Sequence, residues 1–223
     1  MGNRKSGLSL QVIDSLSKST NFTHTELNNL YRQYRNECSH KGCGLKLTID
    51  FETFKSIYEE IYSDGDSSKF AQNVFRTFDQ DHNGVIDFKE LVTLLDIQMK
   101  GTYEEKLTWL FDLYDLDNSQ EISYDEAYKV YNVLFDLNSG LIPNEEDICP
   151  KQLTEFLFKQ AEQKRAGKVD RKFFYTVAVE SPLLRSVFEA TARCASYPFI
   201  PKPRKNISGV DRNNRQSQDI TNF

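Results

Sequence analysis

Two stretches of this chain align without a gap at an offset of 36 residues, and that repeat constrains the fold more than any other feature. Residues 78–91 read Phe-Asp-Gln-Asp-His-Asn-Gly-Val-Ile-Asp-Phe-Lys-Glu-Leu. Residues 114–127 read Tyr-Asp-Leu-Asp-Asn-Ser-Gln-Glu-Ile-Ser-Tyr-Asp-Glu-Ala. Each acidic stretch is flanked by apolar residues at helical spacing. Phe70, Val74, Phe75 and Phe78 precede the first, and Leu91, Leu94 and Leu95 follow it. Leu107, Leu110, Phe111 and Tyr114 precede the second, and Ala127, Val130, Tyr131 and Leu134 follow it. Stripes of this period belong to amphipathic helices, each burying one face.

Two weaker copies flank the pair. A helix over residues 26–37, with Leu27, Leu30, Tyr31 and Tyr34, leads through a loop to Phe51, Phe54, Ile57, Tyr58 and Ile61. Leu153, Phe156, Leu157 and Ala161 lead through another loop to Phe173, Phe174 and Val177. The expectation is an all-α fold of four helix-loop-helix units in two paired lobes, because one unit alone leaves its apolar face exposed. The predicted divisions are an N-terminal arm over 1–20, lobes over 21–100 and 101–195, and a flexible tail over 196–223. Gly101 is the candidate hinge, and Asp64-Gly65-Asp66 reads as an inter-helix turn.

The acidic loops carry the chemistry. Ca²⁺ takes six to eight oxygens, and the twelve-residue EF-hand loop supplies them from positions 1, 3, 5, 7, 9 and 12. Position 12 is a bidentate carboxylate and position 6 a sharp turn. In the first loop Asp79, Asp81, Asn83, the Val85 carbonyl and Glu90 are the ligands, with Asp87 holding a water, Gly84 at the turn and Ile86 facing the core. This is the specific D-x-[DN]-x-[DN]-G-x₅-E signature. In the second loop Asp115, Asp117, Ser119, the Glu121 carbonyl and Glu126 fill the same places, with Ser123 as the water holder. Gln120 stands where the turn glycine belongs. A non-glycine residue at φ > 0 costs about 1 kcal/mol, or about fivefold in affinity, so this site is expected to be the weaker. Two Ca²⁺ sites are therefore expected, with Mg²⁺ as the resting cation.

The outer loops lack the ligands. With Ile49 at position 8, positions 1, 3 and 12 are Gly42, Gly44 and Thr53. With Val169 at position 8 the shell becomes Glu162, Lys164, Ala166 and Phe173, and Gly167 keeps the turn. Short antiparallel pairing is predicted between the loops, Ile49 with Ile86 and Ile122 with Val169.

Composition narrows the function classes. The net charge of -5 argues against a general nucleic-acid binder. The four cysteines are Cys38, Cys43, Cys149 and Cys194. Cys38, His40 and Cys43 have no second Cys/His pair at finger spacing, so reduced thiols are expected rather than zinc. No nucleophile–base pair, phosphate loop or catalytic metal set is legible, so the chain reads as a non-enzyme. No apolar run is long enough to span a bilayer, so a cytoplasmic protein is expected. Met1-Gly2-Asn3-Arg4-Lys5-Ser6 fits the pattern for myristoylation of Gly2, which would add reversible membrane contact.

The sequence resembles the neuronal calcium sensor family, the recoverin-like and frequenin-like proteins, from Met1 to about Ala190. The resemblance rests on Gly2, on Phe22-Thr23 before the first paired helix, and on Cys38 in a degenerate first loop. Its most specific stretches are Phe70-Ala71 through Val74-Phe75-Arg76-Thr77-Phe78-Asp79, and Gly101 to Trp109 through Leu113 to Asp117. The chain departs from the family in Ser39 after Cys38, in Gln120, in the dead fourth loop and in the extension beyond residue 198. Calaxin-like ciliary sensors share the same frame. The resemblance implies that Ca²⁺ opens an apolar groove that takes a target helix, with candidates Phe22, Leu27, Leu30, Tyr31, Tyr34, Phe54, Tyr58, Phe88 and Leu91. It implies a regulatory partner such as a cyclase, channel, receptor kinase or axonemal protein. A calcium buffer is the other expectation weighed.

Overall fold

The computed structural model describes residues 8–40, 47–62, 67–137, 148–163 and 168–196. Gly2, the Asp64–Asp66 turn, residues 42–44, 164–167 and the 197–223 tail lie outside the described residues.

Ser9 caps the first helix, α1 (Leu10–Ser19), which buries Ile13 and Leu16. The first hand is α2 (His24–His40), β1 (Ile49–Asp50) and α3 (Phe51–Ile61). The second is α4 (Ser67–Phe78), β2 (Val85–Ile86) and α5 (Phe88–Lys100). The third is α6 (Tyr103–Tyr114), β3 (Glu121–Ile122) and α7 (Tyr124–Leu137). The fourth is α8 (Pro150–Gln163), β4 (Val169–Asp170) and α9 (Arg171–Glu180), and α10 (Pro182–Ser196) follows. The architecture is the expected all-α arrangement of four helix-loop-helix units.

The pairing between loops is as predicted. Ile49 lies opposite Ile86 and Ile122 opposite Val169, both in antiparallel register. All four side chains are buried completely, so the apolar residue at position 8 holds each pair together from the core side. Strand pairs of two residues are not stable alone; the helices packed beneath them hold them.

The loops also start the helices that follow them. Asp50 and Asp170, at position 9 of the degenerate loops, accept from the Thr53 and Phe173 N–H groups (2.9 and 2.7 Å). Asp87 does the same for Glu90 N–H at 2.8 Å, and Glu90 answers Asp87 N–H at 2.9 Å, a closed capping box. The outer loops have lost ligands yet keep the cap.

The core is continuous across the predicted lobe boundary. Helix α4 packs on α6 and α7, and α10 packs on α9, α6 and α5. In α10 the Phe188 ring stacks on Phe174 at 4.3 Å between centroids, and Thr191 Oγ1 lies 3.1 Å from Tyr114 Oη. The far end of α10 reaches the first hand: Tyr62 Oη donates to the Cys194 carbonyl at 2.9 Å, and Tyr58 Oη donates to the Ala195 carbonyl. Ser181 alone separates α9 from α10, and Pro182 takes the first helical position of α10, where its missing N–H is no loss.

Gly101, the candidate hinge, has φ -66 and ψ 158, which any residue can adopt. Its requirement is space: a Cβ there would run into the Ile97 carbonyl, because the Gly101 N–H caps α5 on the Asp96 and Ile97 oxygens.

Candidate metal centres

Oxygens of Asp79, Asp81 and Glu90 converge within 4.8 Å of one another, and so do those of Asp115, Asp117 and Glu126. Oxygens 2.3–2.6 Å from one Ca²⁺ ion lie at most about 5 Å apart, so both clusters fit the shell of that ion. Asp79, Glu90, Asp115 and Glu126 are buried, and Asp81 and Asp117 are exposed.

Backbone N–H groups aim the carboxylates. In the first loop Asn83 N–H and Gly84 N–H each donate to Asp79 at 3.0 Å, and Asn83 N–H donates to Asp81 at 3.1 Å. Gln80 N–H donates to Glu90 Oε1 at 3.0 Å. The second loop repeats the network. Ser119 N–H and Gln120 N–H donate to Asp115 at 2.9 Å, Ser119 N–H to Asp117 at 3.0 Å, and Leu116 N–H to Glu126 Oε1 at 2.9 Å. Gln120 reaches this network by taking φ 67, where Gly84 has φ 82. The missing glycine therefore leaves the loop's shape intact and stores strain in it.

The fifth and seventh positions differ. Asn83 Oδ1 accepts from Val85 N–H at 2.9 Å, whereas Ser119 Oγ donates to the Glu121 carbonyl at 2.9 Å, so two expected ligands of the second loop bond to each other. Cations also crowd this loop. Lys168 Nζ lies 2.9 Å from the Glu121 carboxylate. Arg76 donates to Asn118 Oδ1 at 3.0 Å and to the Asp112 carbonyl at 2.7 Å. Arg171 donates to Asp112 Oδ1 at 2.7 Å and to Gln120 Oε1 at 3.2 Å. Burial pushes the Asp115 carboxyl above its ordinary range, against the Gln120 and Ser119 N–H bonds that pull it down. Burial likewise lowers the Arg76 guanidinium, against the fields of Asp115, Asp112 and Glu126. Sequence reading missed Arg76 and Asp112, which lie on the helices before the acidic loops, and Arg171, at position 10 of the degenerate fourth loop.

The groove candidates form part of the core. Leu27, Phe54 and Tyr58 are fully buried, Phe22, Leu30, Tyr34, Phe88 and Leu91 are nearly so, and Tyr31 is partly covered. Their described ring contacts include two sets. Tyr31 and Tyr34 meet Phe88 across α2 and α5, while Phe54 meets Phe75 and Phe78 across α3 and α4.

Cys38 is buried with Sγ 3.9 Å from the Thr48 carbonyl; Cys43 and the His40 side chain lie outside the described residues. Ser17 and Asp14 both approach His24 on the same ring nitrogen, Nε2, at 2.9 and 3.3 Å. A base cannot activate one group while a second orients its other nitrogen in that arrangement. Among the described residues no helix is long and apolar enough to cross a membrane.

Residues 46–98, from within the first loop into the last turn of α5, match the family model of an EF-hand domain pair. That match and the two acidic clusters together support an EF-hand calcium-binding protein.

Proposed function

We propose that this protein is a non-catalytic calcium sensor that binds Ca²⁺ at the Asp79 and Asp115 loops and answers by exposing an apolar groove to a target helix. The observation that carries this reading is the presence in the first lobe of one aromatic set across α2 and α5 and another across α3 and α4. Each set moves as a unit when the angle between α4 and α5 changes, so opening separates Leu27, Tyr31 and Phe88 from Phe54 and Tyr58 without breaking either set. The Cys194 and Ala195 carbonyls, bonded to Tyr62 and Tyr58, put the end of α10 against α3, where it competes with an incoming helix.

The partner on this reading is a helix of a regulated protein, of the cyclase, channel, receptor-kinase or axonemal kind that the family resemblance implies. Acylation at Gly2 adds reversible membrane contact, and Mg²⁺ holds the sites at rest.

Calorimetric Ca²⁺ titration with Mg²⁺ present, on the full chain and on Glu90→Gln and Glu126→Gln, tests the sites. A dye that fluoresces on apolar surface tests the groove. Two sites, one lost in each variant, with dye fluorescence rising on Ca²⁺ addition, are the expected outcome. Two sites with no dye response point to a buffer. No Ca²⁺ binding overturns the sensor reading.

A further inference from the structure

The two acidic loops are not joined by a strand pair. Each pairs with a degenerate neighbour, β2 with β1 and β3 with β4. Arg76 forms a direct polar link between the second and third hands. It stands on the last turn of α4, three residues before Asp79. Its planar fork holds the Asn118 side chain at 3.0 Å and the Asp112 carbonyl at 2.7 Å. Asn118 lies between the expected ligands Asp117 and Ser119 at φ 57, a conformation that tolerates little drift. Asp112 lies on the helix that delivers Asp115, and its carboxylate is held from the other side by Arg171.

Helix α4 runs unbroken from Ser67 to Phe78, so a shift of its end when the Asp79 loop closes on an ion moves the Arg76 fork. That shift is delivered to both ends of the segment from Asp112 to Asn118, which carries Asp115 and Asp117. A guanidinium bound to two acceptors transmits direction as well as charge.

We propose that Arg76 couples the two loops, so that occupancy of the Asp79 loop raises the Ca²⁺ affinity of the Asp115 loop across the lobe boundary. This rests on the reading that both loops bind Ca²⁺. Linkage requires the same factor in the other direction, about fivefold at the low end of ordinary coupling.

The test is calorimetric Ca²⁺ titration of the full chain carrying Glu90→Gln, Arg76→Met, and both. Glu90→Gln weakens the Asp115 site about fivefold in the otherwise natural chain and leaves it unchanged once Arg76 is Met. Arg76→Lys, which keeps the charge and loses the fork, behaves as Arg76→Met and serves if the Met variant folds poorly. An equal effect of Glu90→Gln with and without Arg76, or no effect in either, overturns the coupling. Glu126→Gln separates the two failures: if it titrates like the natural chain, the Asp115 loop takes no Ca²⁺ and the two-site reading falls with the proposal. If it loses a site while the coupling is absent, only the proposal falls.

Discussion

Gln120 and Gly84 hold equivalent places in the two loops and take nearly the same backbone conformation, φ 67 and φ 82, although only glycine adopts it without cost. The N–H of each donates to the first aspartate of its loop, at 2.9 and 3.0 Å. The need to satisfy that carboxylate outweighs the local preference of the residue.

Replacing Gly84 isolates this conformational cost, because nothing lies within 4 Å of an added Cβ. Gly84→Ala is expected to destabilise the protein by about 1 kcal/mol. The check is the urea midpoint without Ca²⁺. An unchanged midpoint would mean that the loop relaxes to another conformation.

The pair Glu26–Lys100, 2.8 Å apart, ties α2 to the end of α5. Hydrogen bonds from Lys100 and from Thr23 lower the Glu26 carboxyl from 4.5 to about 2. A carboxyl depressed by folding stabilises the fold above its unfolded value and loses that effect as pH falls through the folded value. The contribution is therefore present at pH 7 and lost between about 4.5 and about 2. Because both side chains are partly exposed, the pair is worth at most about 1 kcal/mol. Lys100→Met is expected to lower the thermal midpoint at pH 7 and to change it much less at pH 2.5. Equal losses at both pH values would assign the effect to the other contacts of Lys100 Nζ, over the Phe22 ring at 4.4 Å from its centroid and to the Asn21 carbonyl at 2.8 Å.

Tyr62 Oη is buried and donates 2.9 Å to the Cys194 carbonyl. Tyr62→Phe removes the donor of this buried hydrogen bond, at a cost of about 0.5–1.5 kcal/mol. Hydrogen exchange in the last turn of α10 is expected to quicken, with the two acidic loops unaffected. Exchange that rises evenly through the first lobe instead would show that α10 is not the element released.

Phe54 is fully buried against Tyr58, Phe75 and Phe78, with ring centroids 4.9–5.7 Å apart. Phe54→Ala is expected to cost about 3–5 kcal/mol in the unliganded state. If the groove reading holds, the loss shrinks in the Ca²⁺-loaded protein, where the opened lobe has already exposed the ring. An equal loss in both states would argue that Phe54 stays in the core throughout.

Much of this molecule is legible in its residues. The ligand spacing from Asp79 to Glu90 and the apolar stripes on either side place four helix-loop-helix units. Ile49, Ile86, Ile122 and Val169 pair in the register that position 8 requires, because one period links helix end, turn and strand. The first helix is legible at its cap: Ser9 stands three residues before Val12, whose N–H it caps, and Ile13 and Leu16 share a face. Among the described residues of the expected arm over 1–20, only Ile13 and Leu16 are buried, too few positions for a helical period to stand out in the residues alone.

Local pattern determined each hand and the oxygens it offers, since those depend on contacts a few residues apart. The tertiary structure alone decided that α10 joins the two lobes through Phe188, Thr191 and the Cys194 carbonyl. It alone placed the Arg76 fork on Asn118 and Asp112. Thr191 and Tyr114, Cys194 and Tyr62, and Arg76 and Asp112 lie 77, 132 and 36 residues apart in the chain. No spacing rule reaches that far, because which helix faces meet is set by the packing of the whole core.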